Sequence, residues 1–119
     1  MPHRYKSYAA ETGVSYRYFF AARHPVARPE GQGRGSDFTF VIAADQQAPF
    51  TVRIFVSDRA MTSWRELHGQ ELTPNEQYAV AKMRLFRAFD EAENLHEERL
   101  DLVVDENNVA ELLEPLELA

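Results

Sequence analysis

The sequence predicts a two-layer α+β fold, in which two helices cover one face of an antiparallel sheet of about four strands. Two observations carry this prediction: apolar residues recur with a period of two in the first half of the chain and with a period of about 3.6 in the second half. The expected order is three strands, two helices, a fourth strand and a short C-terminal helix. The length of 119 residues is typical of one domain, so we expect a single domain over 1–119.

The first half of the chain alternates apolar and polar residues over three segments, which we predict to be strands at 14–24, 38–44 and 49–56. The connection at 45–48 is short enough for a hairpin turn, so the three strands should form an antiparallel meander. One face of these strands is apolar and should line the core. Its members are Val14, Tyr16, Tyr18, Phe20, Phe38, Phe40, Ile42, Phe50, Val52, Ile54 and Val56.

The opposite face of the strands mixes arginines and hydroxyls with large apolar side chains. Aromatic residues and arginine are enriched at protein interfaces, and a contiguous apolar patch on a surface is usually an interaction site. We therefore predict that a second copy of the chain, a protein partner or the chain's own C-terminal tail covers this face. The candidate binding residues are Arg17, Phe19, Arg23, Val41, Arg53 and Phe55.

A first helix is predicted to follow the third strand, because the hydrophobic period lengthens there. Ser57 or Asp58 can cap its N-terminus, and Gly69 stands where a helix would end in the left-handed conformation.

A second, longer helix has a stronger start signal. Thr73 supplies a hydroxyl cap, Pro74 occupies the first helical position, and Glu76 can reach back to the cap amide. The helix should run to about Glu93. Its predicted apolar face consists of Tyr78, Ala81, Leu85, Ala88, Phe89 and Ala92.

The end of the chain predicts a fourth strand near 100–104, a turn at 105–108, and a short helix at 109–114 that stops at Pro115. Three segments are expected to lie outside the core. They are a flexible N-terminus at 1–12, a mobile loop rich in proline and glycine at 25–35, and an acidic tail at 115–119.

Composition excludes several classes of function. There are no cysteines, so disulfides, thiol nucleophiles and cysteine-type zinc sites are ruled out. No apolar run approaches the roughly 20 residues that span a bilayer, and the N-terminal residues lack the apolar core of a secretory signal. We therefore expect a cytoplasmic protein without a membrane partner.

Charge is distributed unevenly along the chain, whose formal net charge is −6. Residues 1–59 hold 8 Lys and Arg against 5 Asp and Glu, a net of +3, whereas residues 60–119 hold 5 against 14, a net of −9. If the two halves do not interleave, the molecule has a basic sheet side and an acidic helical side.

Catalytic signatures are weak in this sequence. The glycines at 31–35 precede a predicted strand rather than the helix that a phosphate-binding loop requires, and His96 lacks a second histidine at the zinc-protease spacing. No serine occupies a nucleophile elbow, and no carboxylate spacing matches a calcium loop. We therefore predict no catalytic residue, metal ion or cofactor.

The sequence thus favours a noncatalytic binding or assembly module that uses one sheet face to bind a second copy or a protein partner. The alternative is single-stranded nucleic acid on the same face, with bases stacked on the phenylalanines and phosphates held by the arginines, although the negative net charge opposes it. A small enzyme with a site assembled from scattered histidines and carboxylates is a third hypothesis.

Overall fold

The computed structural model describes residues 5–28, 33–44, 48–92, 95 and 101–116, and these residues form a mixed α+β fold built on one curled sheet. The described strands are β1 (Lys6–Ala9), β2 (Ser15–Arg28), β3 (Gly33–Ala44), β4 (Phe50–Ser57) and β5 (Leu102–Val104). They lie in the sheet in chain order, so each strand pairs with its neighbour in the sequence.

The sheet differs in two respects from the predicted antiparallel sheet of about four strands. It has a fifth strand at its N-terminal edge, and β5 pairs with β4 in parallel, with Ile54 opposite Leu102. The predicted antiparallel meander is confirmed in β2, β3 and β4, and the additional strand β1 is antiparallel to β2. The described residues between β4 and β5 include two helices, and this connection is long enough for a crossover that returns the chain to the end of the sheet where β4 began.

The prediction of a flexible N-terminus at 1–12 is wrong for residues 6–9. Residues 6–9 form β1, in which Lys6 lies opposite Tyr18. The Tyr8 ring stacks on the Phe86 ring of the second helix, with centroids 4.3 Å apart. The sequence of a four-residue strand does not reveal such a long-range contact. Residues 1–4 lie outside the described part of the chain.

The predicted mobile loop at 25–35 is largely a continuation of the β2–β3 hairpin. β2 runs to Arg28 and β3 starts at Gly33, with Pro25 opposite Ser36. A proline is tolerated here because, among the described residues, β1 pairs with β2 only as far as Tyr18. The later part of β2 is an edge strand among these residues, and its outward-facing positions need no amide proton. Residues 29–32 of the predicted loop lie outside the described residues.

Three helices are described, α1 (Asp58–His68), α2 (Pro74–Glu91) and α3 (Val109–Leu113), the last followed by a 3₁₀ turn at Glu114–Leu116. Ser57 is the cap of α1, because its hydroxyl oxygen accepts a hydrogen bond from the Ala60 amide at 3.1 Å. Gly69 ends α1 with a φ of 74°, in the left-handed region. Both features confirm the predicted ends of this helix.

The predicted capping box of α2 is confirmed. The Thr73 hydroxyl accepts a hydrogen bond from the Glu76 amide at 3.2 Å, and the Thr73 amide donates to the Glu76 carboxylate at 2.9 Å. Two of the orphan amides at the helix start are therefore satisfied by local contacts. The helix extends to Glu91, and position 93, to which the prediction ran, lies outside the described residues.

The main core lies between the helices and one face of the sheet. It contains the middle of the predicted apolar face of the strands together with the predicted stripe of α2, including Phe40, Ile54, Leu85 and Phe89, all 0% exposed. Phe20 is 39% exposed at the margin of this core, where its ring meets that of Tyr78 at 5.2 Å.

Candidate functional site

The face of the sheet opposite the helices carries four of the six predicted site residues. Arg17 and Arg53 are exposed on it, whereas Phe19 and Val41 are half-buried and lie opposite each other on β2 and β3. Two further residues, Tyr5 and Thr51, adjoin these four. We call this surface the open patch: Tyr5, Arg17, Phe19, Val41, Thr51 and Arg53.

Tyr5, like Thr51, is a residue of the open patch that was not among the predicted site residues. Its ring meets Phe19 edge-on, with centroids 5.0 Å apart and planes at 80°, and the Arg17 guanidinium carbon lies 5.4 Å from the Tyr5 ring centroid. An edge-to-face aromatic pair and a cation–π contact therefore order this end of the patch. The only sequence signal for it was an aromatic residue within a segment that was predicted to be flexible.

Arg23 was assigned to the wrong face of the sheet. The pairing of β2 with β3 shifts register between Phe20 and Ala22, so one additional residue in β2 reverses the alternation beyond that point. Arg23 then lies opposite Phe38 on the helical side, with its guanidinium 4.9 Å from the Phe38 ring centroid. It also donates a hydrogen bond to the Gln77 side chain at 2.6 Å.

Phe55 was expected to be accessible on the second face, but it is fully buried within the chain. Its exposed fraction is 0%, and the Arg28 guanidinium covers its ring at 4.3 Å from the centroid. Arg28 is held there by ion pairs with Asp101 at 2.9 Å and Asp37 at 3.7 Å. Phe55 therefore packs inside this chain and is not part of the candidate interface.

The predicted alternative of a C-terminal tail covering the second face is not supported by the residues that the structure describes. Val109, Leu112 and Leu113 of α3 are buried in the main core, on the helical side of the sheet. The 3₁₀ turn that follows contacts α3. Residues 117–119 of the predicted tail lie outside the described part of the chain.

Two titratable groups with shifted pKa values, Tyr18 and Lys82, lie where α2 packs against the sheet. Burial raises the pKa of Tyr18 to about 12, and burial also lowers the pKa of Lys82, with a smaller contribution from Lys6. The Lys82 ammonium nitrogen lies 5.8 Å from the Tyr18 ring centroid. These shifts follow from contacts with the core.

The scattered histidines and carboxylates do not assemble into a metal site within the described ranges, where no group of three or more could hold a metal ion. His68 stacks on Trp64, with ring centroids 3.8 Å apart, and His24 is exposed opposite Asp37. His3 and His96 lie outside the described residues.

Two concave regions lie away from the predicted site. A shallow depression of about 460 Å³ is found beside α1, lined by Asp58, Arg59 and Glu66 among others. A larger groove of about 590 Å³ follows one side of α2. This groove was not predicted from the sequence, although the spacing of Met83, Phe86 and Asp90 indicates a second stripe on α2 beside its core stripe.

The chain matches no protein-family model, and no similar curated protein or solved structure was found for it. Among the helices that the structure describes, none is long and apolar enough to cross a membrane.

Proposed function

We propose that this chain is a noncatalytic assembly module whose open patch binds the open patch of a second copy. The observation that carries the proposal is the pair of Phe19 and Val41, which lie side by side on the sheet face opposite the main core. Packing two such faces together removes apolar surface from water, which is the usual driving force of association.

The composition of the open patch supports an interface. Aromatic residues and arginine are enriched at protein interfaces, and this patch combines Tyr5 and Phe19 with Arg17 and Arg53. The cation–π contact between Arg17 and Tyr5 already orders one arginine in the isolated chain, so less side-chain entropy is lost on association.

The charges of the patch give this proposal a distinctive salt dependence. In a two-fold symmetric dimer the same patch faces itself, so the arginines of the two copies approach one another. Salt screens like charges, and dimerisation should therefore strengthen as salt rises. Binding of single-stranded nucleic acid, the alternative for the same residues, should weaken as salt rises.

The test is the mass in solution by light scattering over about a hundredfold range of protein concentration, at low and at high salt. We expect the dimer fraction of the wild-type chain to rise with concentration and with salt. Val41→Lys and Thr51→Lys, which place a further cation in the patch, should both shift the equilibrium to monomer. Thr51 is exposed, so its variant keeps the test valid if Val41→Lys fails to fold.

The matched control is Leu67→Lys, because Leu67 is 70% exposed on α1, away from the patch. It should dimerise like the wild-type chain. A wild-type monomer at the highest concentration would refute self-association. Equal loss of dimer in the control would refute the open patch as its interface. Oligonucleotide binding tighter than micromolar at about 0.15 M salt, lost in Arg17→Ala and Arg53→Ala, would replace it with the nucleic-acid alternative.

A further inference from the structure

The groove beside α2 is bounded by three parts of the chain: α2 itself, Tyr8 of β1, and the C-terminal region from α3 to the 3₁₀ turn. Its α2 side is a single helical stripe, since Met83, Phe86, Asp90 and their neighbours Arg87 and Glu91 recur at intervals of three and four residues. From Met83 to Glu91 this stripe corresponds to about 12 Å of helix axis. The groove is therefore long enough to contact about two turns of a helix.

The floor of the groove is apolar. Met83 and Phe86 are half-buried on α2, Leu112 is buried on α3, and Leu116 in the 3₁₀ turn is 39% exposed. The stacked rings of Phe86 and Tyr8 hold this floor in place. Unlike the core stripe of α2, the floor has apolar area that remains in contact with solvent.

The rim of the groove is acidic. Among the described residues that line it are four carboxylates, Glu11, Asp90, Glu91 and Glu111, and one cation, Arg87. Arg87 is already paired with Glu111 at 2.6 Å. The lining therefore has a net negative charge that repels anionic ligands and anionic membrane surfaces.

Two of these carboxylates are bound within the chain. Asp90 accepts hydrogen bonds from the Tyr8 hydroxyl at 2.7 Å and from the Glu11 amide at 3.0 Å, and Glu111 accepts from Arg87. The side chains of Glu11 and Glu91 are exposed and make no hydrogen bond or close ion pair with the described part of the chain, although the charge of Glu91 also acts on the Arg84 guanidinium of α2. They are the groups from which an incoming cation would gain most.

We propose that this groove binds a basic, amphipathic helix of a partner protein. Its apolar stripe would cover Phe86 and Leu116, and its lysine or arginine side chains would pair with Glu11 and Glu91. An amphipathic helix in an apolar groove is a recurrent mode of recognition, and charge complementarity at the rim selects a basic ligand. This site is separate from the open patch and does not depend on the function proposed for it.

The probe is a synthetic helical peptide with leucines on one stripe and lysines elsewhere, labelled for fluorescence anisotropy. The control peptide has glutamate in place of each lysine. We expect the leucine–lysine peptide to bind and the leucine–glutamate peptide to bind at least about tenfold more weakly, because the rim attracts cations. Equal binding of the two peptides, or no binding of the basic peptide, would overturn the proposal.

Paired variants separate the groove from the general attraction of an acidic protein for a basic peptide. The double variant Glu11→Gln with Glu91→Gln removes two negative charges from the rim and should weaken binding about fivefold to tenfold. The double variant Glu66→Gln with Glu106→Gln makes the same change in net charge beside α1 and should leave the affinity within about twofold. Equal losses would show that the attraction is nonspecific and would refute the groove.

The floor is tested by a second matched pair. Leu116→Ser removes exposed apolar area from the groove and should weaken the basic peptide about tenfold, whereas Leu67→Ser on α1 should have no effect. Both leucines are at the surface, so both variants should fold. Unchanged binding by Leu116→Ser would overturn the proposed docking. Loss of self-association in that variant would assign the groove to a second copy of the chain instead.

Discussion

Gly35 determines whether Phe55 can be buried beside β3. A Cβ atom placed on Gly35 would lie 2.3 Å from the Val56 carbonyl oxygen and 2.8 Å from the Phe55 ring. The neighbouring backbone oxygen cannot move away without disturbing the pairing of β3 with β4. The absence of a side chain at this position therefore makes room for the ring, which Arg28 then covers.

We expect Gly35→Ala to lower the free energy of unfolding by about 1–3 kcal/mol, because overpacking forces the strand or the ring to shift. Chemical denaturation measures this change. The control is Arg34→Ala at the neighbouring exposed position, which should stay within about 0.5 kcal/mol of the wild-type chain. A Gly35→Ala variant as stable as the control would show that the pocket around Phe55 is looser than the distances indicate.

Among the elements, α2 is the one whose packing was best predicted from the sequence. Its stripe brings Phe89 into the centre of the core, where the ring stacks on Tyr16 with centroids 4.2 Å apart and planes at 7°. Arg87, two positions earlier, points to the rim of the groove and pairs with Glu111. Two residues of one helix therefore have very different environments.

We predict that Phe89→Ala costs about 3–5 kcal/mol of stability, since it leaves a cavity among aromatic rings. Arg87→Ala should cost well under about 1 kcal/mol, because an exposed ion pair contributes little. Urea denaturation of the two variants provides the comparison. Similar losses in both would contradict the assignment of the buried stripe.

The contrast between α2 and β2 explains which parts of the fold and of the candidate site could be predicted from the sequence. The caps of α2 depend on residues three positions apart, so Thr73 and Glu76 reveal them in the sequence. The bulge in β2 has no such local signal, and it moves Arg23 to the helical side. The prediction that Phe55 is accessible was wrong for a related reason. The Arg28 side chain that covers its ring comes from another strand, and one of the ion pairs that hold Arg28 is formed with Asp101.

At the scale of the whole molecule, the two candidate surfaces differ in charge and lie on different sides of the sheet. The open patch carries Arg17 and Arg53 on the face opposite the main core, whereas the groove carries Glu11 and Glu91 beside α2. Arg17, Arg53 and Glu91 follow the uneven distribution of charge along the chain, whereas Glu11 comes from its basic half. Because the surfaces do not overlap, a dimer formed through the patch leaves both grooves available.

Tyr8 joins β1 to the helical layer, so its ionisation should affect the stability of the whole fold. Burial, followed by the hydrogen bond to Asp90 and the charge of that carboxylate, raises the pKa of Tyr8 from 10.0 to about 12. The folded chain therefore holds the Tyr8 proton at pH values where the unfolded chain has released it. The stabilisation is fully present below the unfolded pKa and is lost as the pH rises through the folded pKa.

We expect the free energy of unfolding to fall between about pH 10 and pH 12, and to fall less steeply in Tyr8→Phe, which has no hydroxyl to ionise. At neutral pH the same variant should be slightly less stable, because Asp90 loses a hydrogen-bond donor. Urea denaturation at a series of pH values gives both quantities. Tyr18 contributes to the decline in both proteins, since its pKa is also raised to about 12. The difference between their slopes therefore isolates Tyr8, and identical slopes would show that burial and Asp90 do not raise the pKa of Tyr8 in solution.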